Sequence, residues 1–452
     1  MPSEQLLASF VRNSTYSDLN EETIKTVKRQ MVAFYGALIA GSATSAAAVA
    51  EYSCDIGGKP ESTIFIHGGK VPAHQAAFTN ATIGRALDID DHISPGAHIG
   101  SAVIPTAFAT AEMLGGCTGK ELITAVATGT ELSLRLILEE EDYAGFDPTG
   151  ITAVFSTAAA ASKLLGLDEK MIWNALGLVS DRSSASYQHY IDGVVAGPLM
   201  EGWVAKAGLE SARLTQHGLT GTVNFLEGVY GYFNLFCKAD SDHSDVTLNL
   251  GKEWHLKNLN FKKYPSCGLT QGSTELILDM MKKYNLTANN VEHIEILVPP
   301  NTFRLVGHPF KIGDNPRVDA QFNVAYCVAN ALIREPVILS HFDAKQISEP
   351  NIVNFVKEKV TVTSDTAIER THYSTDIIVR TKEGKEYHEQ IDIPPGTPAN
   401  PMTDEEHRRR FYDCVEYSGK QWLKGREEAI LNYIETLETK DDVRGMIPLF
   451  LA

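Results

Sequence analysis

Residues 88–98 read DIDDHISPGAH, which places three aspartates and two histidines in eleven positions. A carboxylate that hydrogen-bonds an imidazole fixes its tautomer and raises its basicity, as a general base requires. Asp88, Asp91, His92 and His98 are therefore candidates for proton transfer, with the aspartates orienting the histidines. The competing reading is a polar loop whose aspartates cap the helix that follows. The chain has no HExxH and no His/Cys quartet, so a zinc reading is weak and no metal is expected.

Residues 259–271, LNFKKYPSCGLTQ, set Lys262, Lys263 and Tyr264 before a proline turn that opens a helix. Lysines there could clamp carboxylates, and a helix N-terminus adds positive potential. A solvated lysine pair beside a turn is the alternative. Tyr143 and Asp147 in DYAGFDPTG sit in a loop before a helix, where Asp147 could simply be a cap. Arg182 and His189 in DRSSASYQHY line either a cavity or the surface. Cys267 reads as a small core residue, because no nucleophile pattern surrounds it. Neither GxGxxG nor GxxxxGK[ST] occurs, so nucleotide cofactors have no visible seat.

These residues need a scaffold, and hydrophobic spacing outlines one. Residues 1–50 read as helix, with a start signal at Ser17 or Asp18 and a stop at Gly41. Segments 101–115, 119–138 and 152–166 are apolar helices rich in Ala, Thr, Ser and Gly. Small residues let helix backbones approach closely, so these helices form a central core or else supply a dimer face. Near residue 265 the pattern changes. TQGSTELILDMMKKYNL is an amphipathic helix, VEHIEILVPP a strand, and VDAQFNVAYCVANALI helical again. NIVNFVKEKVTVTSD passes from helix into strand, and STDIIVRTKEGKEYHEQIDI is a hairpin around KEGK. The expected fold is mainly α: a large all-helical domain over 1–265, completed by 401–452 after a Pro-rich linker, and a smaller α/β (α+β) domain over 266–400.

The bulk properties bound the function. A chain of 452 residues suits two domains. A formal charge of −17 repels phosphate backbones, which argues against nucleic acid as a partner. An acidic protein that binds a polycarboxylate must then concentrate its cations locally. No apolar run reaches the ~18 residues of a membrane helix. The N-terminal stretch lacks a basic region followed by an apolar one. Six cysteines without CxxC spacing fit a reducing compartment. A soluble cytoplasmic protein without a membrane partner is the expectation.

The quoted segments also carry a resemblance. ALDIDDHISPGAHIGSAVIPTAFATAEMLGGCTGKELITAVATGTEL resembles the signature block of the MmgE/PrpD family, which includes 2-methylcitrate dehydratase, cis-aconitate decarboxylase and iminodisuccinate epimerase activities. The likeness recurs at GFDPTGITAVFSTAAAASKLLGLD, NFKKYPSCGLTQGS, VDAQFNVAYCVANALI and PPGTPANPMTDEEHRRRF. It implies an all-helical domain, a smaller α/β domain, a homodimer, and cofactor-free chemistry in a cleft between the domains. Asp88, His98 and Lys262 match the family's active-site aspartate, histidine and lysine. Four positions depart from its pattern. Asp147 stands where many members have His, Trp203 near the place of a Lys, His92 in place of a Thr, and Gln271 in place of a His. Fewer cations and an added Asp suit a less charged substrate, such as one bearing an amine.

The expected enzyme abstracts a proton next to a carboxylate of a small polycarboxylate, with Lys262 and His98, both partly exposed in a cleft, as the acid/base pair. Asp91, His92, Tyr143, Asp147, Arg182, Trp203, Lys263 and Gln271 are the expected substrate-binding residues. The outcome is elimination, as in a lyase, or reprotonation on the opposite face, as in an epimerase of an amino-dicarboxylate. A family member that only binds a small molecule is the rival from another class.

Overall fold

A computed structural model describes residues 1–139, 142–192, 194, 196–238 and 243–452. The chain forms two compact units, Met1–Ile191 with Val195–Leu259 and Cys414–Ala452, and Asp192–Val194 with Asn260–Asp413. The first is helical and the second mixes helices with a sheet, so the fold is mainly α with a smaller α/β part. Residues 260–265 and 401–413 pack with the second unit.

In the first unit, Pro148–Leu164 is the central helix. It packs on Gly100–Met113, Gly119–Leu134, Glu169–Ser180 and Ala196–Gln216. Every residue from Pro148 to Ser162 is buried. Its small residues are therefore core, and none of that surface is left for a partner. Their size is what the packing demands. A Cβ on Gly208 would lie 2.1 Å from Thr157 Oγ1, and one on Gly129 would lie 2.5 Å from the Ser156 carbonyl oxygen. Threonine is tolerated here because its hydroxyl bonds a backbone carbonyl. Thr152 donates to Pro148 O, and Thr157 donates to both Val154 O and Val204 O.

The second unit holds a four-stranded sheet in the order Val360–Ser364, Val291–Val298, Thr375–Thr381, Glu386–Ile391. The first pair is parallel (Ile294 opposite Val360) and the other two are antiparallel (Ile296 opposite Ile377, Val379 opposite Tyr387). Ile294, Ile296 and Val298 are buried together with Ile277, Met280, Val328 and Ile352 from the covering helices. Period-two alternation along Val291–Val298 thus points one face of that strand into the core. Among the described residues no single helix is long and apolar enough to cross a membrane.

Candidate active site

The helix Ala73–Arg85 ends in a charged residue that is only 3% exposed. Three residues later the backbone turns through a left-handed conformation at Asp88 (φ 55°), which Asp tolerates better than most residues. This turn returns the Asp88 carboxylate to the helix end, where Arg85 Nη1 lies 2.6 Å from Asp88 Oδ1. The chain then folds back through a bridge between Ile93 and Ala97, and His98 leads into the helix Gly100–Met113.

His98 sits between two carboxylates. Its Nδ1 is 3.1 Å from Asp90 Oδ1, and its Nε2 is 3.5 Å from Asp88 Oδ1. Asp90 Oδ2 accepts a 2.6 Å hydrogen bond from Ser101, which leaves Oδ1 for the imidazole. Asp90, not Asp91, therefore orients the histidine. Asp91 faces away: its Oδ2 accepts from Gln30 Nε2 (2.9 Å) and from the Gly100 amide (3.3 Å). Gly100 is required there, since a Cβ would meet Asp91 Oδ1 at 2.0 Å. Burial, reinforced by neighbouring Asp90, pushes the Asp91 carboxyl up to about 7. His92 lies beside His98, with ring centroids 6.0 Å apart.

Arg85 links this centre to a carboxylate that has no sequence motif around it. Its Nε is 3.4 Å from Glu201 Oε1, while its Nη1 is 3.6 Å from Asp90 Oδ1. Glu201 is fully buried, and neither of its oxygens accepts a hydrogen bond among the described residues. Burial raises its pKa well above the usual carboxylate range. Arg85 opposes that shift, and Asp90, Asp147 and Asp91 add to it. Oxygens of Asp88 and Asp90 and a His98 nitrogen lie within 4.8 Å of one another, a spacing that metal ligands also show. The Arg85 guanidinium already supplies positive charge to the two carboxylates, so a metal ion fits this set poorly.

Asp147 is the N-cap of Pro148–Leu164. Its Oδ1 accepts from the amides of Thr149 (2.8 Å) and Gly150 (3.3 Å). Its other oxygen, Oδ2, lies 3.5 Å from His189 Nε2. Two further contacts hold the segment that leads to His189: the Asp147 amide donates to Ala185 O, and Phe146 forms a β-bridge with Ser186. Burial lowers the His189 pKa. Asp147 works against that shift, and Arg85 adds to it.

Arg182, His189 and Trp203 line a groove of about 760 Å³ in the helical unit. Trp203 is 56% exposed, and its ring lies 4.8 Å from that of Phe78. Tyr143 lies elsewhere. Its hydroxyl accepts from the Leu138 amide, its ring packs on Phe146, and burial raises its pKa.

In the second unit, Lys262 is 2% exposed and His98 in the first is 5% exposed, so neither has the partial exposure that was expected. Lys263 pairs with Glu275 (2.9 Å) and Glu406 (2.8 Å). Burial opposes its charge, but Glu406 and Glu275 outweigh it and raise its pKa. Gln271 clamps its own loop: Oε1 accepts from the Tyr264 amide, and Nε2 donates to Tyr264 O and Ser266 O. Lys263 and Gln271 thus hold local structure.

Two family comparisons bear on this arrangement. The MmgE/PrpD N-terminal domain matches residues 5–244 and the MmgE/PrpD C-terminal domain matches residues 264–436. The chain belongs to the MmgE/PrpD family. Its relatives include the cis-aconitate decarboxylase of Mus musculus, 24% identical over 96% of this chain and 90% of the relative. That of Homo sapiens is 23% identical over 96% and 92%, and one from Aspergillus terreus is 26% identical over 61% and 60%. The chain is thus similar to lyases and is an MmgE/PrpD-type enzyme. Within this MmgE/PrpD chain, sequence reading passed over Asp90, Arg85 and Glu201. Asp90 stands in the same motif as the chosen aspartates. The signal for Arg85 was its place three residues before Asp88, and for Glu201 a lone acid in an otherwise apolar stretch, GPLMEGW.

Proposed function

We propose that this enzyme moves a proton at the carbon beside a carboxylate of a small polycarboxylate, in the manner of a lyase and without an organic cofactor. The observation that carries this reading is the Asp90–His98–Asp88 arrangement. Asp90 holds the Nδ1 proton and leaves Nε2 to accept one, and Asp88 beside Nε2 stabilises the imidazolium that forms. Arg85 offsets the charge of both aspartates, so the site stays folded around them. The family resemblance gives Lys262 a catalytic role as well. Because Arg85 takes the place a cation would fill, EDTA is expected to leave turnover unchanged.

The test is incubation with cis-aconitate, 2-methylcitrate and amino-dicarboxylates in deuterium oxide, followed by mass spectrometry. Deuterium entering a substrate or product carbon, and lost in His98→Gln, supports the proposal. Undiminished exchange in that variant overturns it.

One observation favours an epimerase of an amino-dicarboxylate as a second reading. Asp88, Asp90 and Glu201 share the Arg85 guanidinium in the helical unit, and Asp91 and Asp147 lie close enough to push the Glu201 carboxyl further up. Excess negative charge favours a substrate that carries an ammonium group over a tricarboxylate. Slow turnover of cis-aconitate and 2-methylcitrate, with kcat/KM below about 10⁴ M⁻¹s⁻¹, is the outcome expected on this reading. Faster turnover of either acid refutes it. Exchange without a new double bond would separate epimerisation from elimination.

A further inference from the structure

The groove beside Asp147 carries two cations besides the Arg85 that the proton-transfer centre already holds. Arg182 sits on its wall, after the helix Glu169–Ser180, and its guanidinium has no carboxylate partner among the described residues. Lys206 faces it from Ala196–Gln216, where its Nζ lies 3.4 Å from the neutral amide oxygen of Gln75. His189 joins them, and the exposed indole of Trp203 forms an apolar flank one helical turn before Lys206. The acids in the same lining are Asp181 and Glu210, and Glu210 lies 3.6 Å from His74.

The groove and the centre are adjacent. The Thr149 amide donates to Asp147 Oδ1, while Thr149 Oγ1 accepts from the His98 amide at 2.9 Å. One residue therefore joins the carboxylate behind His189 to the backbone of His98. A volume of about 760 Å³ is in the range of small-molecule pockets.

We infer that this groove binds a small dicarboxylate, with Arg182 and Lys206 each meeting one carboxylate and Trp203 covering the chain between them. Two cations match two charges. Among the described lining residues, a third carboxylate would meet the imidazole of His189, backed by Asp147, and the acids Asp181 and Glu210. The inference rests on the proton-transfer reading only for what happens after binding. It names the substrate class for that site.

The experiment titrates the full-length protein with succinate, a dicarboxylate with no reactive group for the proposed chemistry. Binding is followed by calorimetry and by quenching of Trp203 fluorescence, with Trp203→Phe as the optical control. Succinate is expected to bind more tightly than tricarballylate or butyrate. Arg182→Ala and Lys206→Ala should each weaken it about 10-fold, the lower end for a charge-assisted hydrogen bond. His98→Gln should bind succinate as the wild type does while losing deuterium exchange. Absence of saturable binding, or affinity unmoved by both groove variants, overturns the inference. If His98→Gln alone abolishes binding, the dicarboxylate sits at the centre and the inference fails. Groove-dependent binding in a protein that exchanges no deuterium with any substrate sinks the proton-transfer reading and leaves the inference standing.

Discussion

His98 and Asp90 meet at 3.1 Å between Nδ1 and Oδ1, and the same carboxylate is held from its other side by Ser101 at 2.6 Å. Both oxygens of Asp90 are therefore engaged, and the imidazole cannot rotate without breaking a buried contact. A group fixed in this way needs no rearrangement before it takes a proton.

His98→Ala and Lys262→Ala should each lower turnover by about 10²–10⁴-fold, the usual contribution of a general acid or base. Circular dichroism should show the fold retained. Near-wild-type activity in either variant removes that residue from the mechanism.

Arg85→Leu should cost stability. It leaves Asp88, Asp90 and Glu201 buried without their shared cation, and breaking one partner of a buried ion pair costs roughly 3–5 kcal/mol. Urea unfolding measures the difference. A loss within experimental scatter would mean that these carboxyls are already neutral in the folded protein.

Asp91→Asn tests the raised carboxyl. The folded pKa of about 7 lies above the unfolded value, so the folded state holds the proton more tightly. Ionisation of Asp91 therefore weakens the wild-type fold as pH rises from about 4 towards 7. The Asn variant has no such group. Its melting temperature should match the wild type near pH 4.5 and exceed it at pH 8. A constant difference across that range shows that Asp91 titrates normally.

The homodimer expected from the family resemblance is proposed to form through the exposed apolar residues Val223, Val229, Tyr230 and Leu235 of the helical unit. Val229 is 81% and Tyr230 86% exposed, which is unusual for such side chains in a lone surface segment. Light scattering should give a dimer for the wild type at micromolar concentration and a monomer for Val229→Lys/Tyr230→Lys. A monomeric wild type refutes the proposal.

Local pattern made much of this architecture legible. Periodicity of three to four marked the helices Gly100–Met113, Gly119–Leu134 and Gln271–Tyr284, because each must turn one face or all faces inward. Alternation marked Val291–Val298 and the hairpin Thr375–Thr381 with Glu386–Ile391, because side chains on a strand point to opposite faces in turn. The motif at 88–98 exposed a clustering of acids and imidazoles, since its residues are neighbours along the chain. The parallel pairing of Val291–Val298 with Val360–Ser364 was not visible, as its partners lie far apart in sequence. Nor was the division of labour between adjacent aspartates, of which Asp90 turns to His98 and Asp91 to Gln30 and Gly100. Backbone direction at each residue decides that, and spacing does not encode it. Glu201 joins Arg85 only because the helices Ala73–Arg85 and Ala196–Gln216 pack closely enough to bring two buried charges together. Whether a polar residue becomes a solvated surface group or a buried partner depends on what the rest of the chain lays over it, and that is settled in three dimensions.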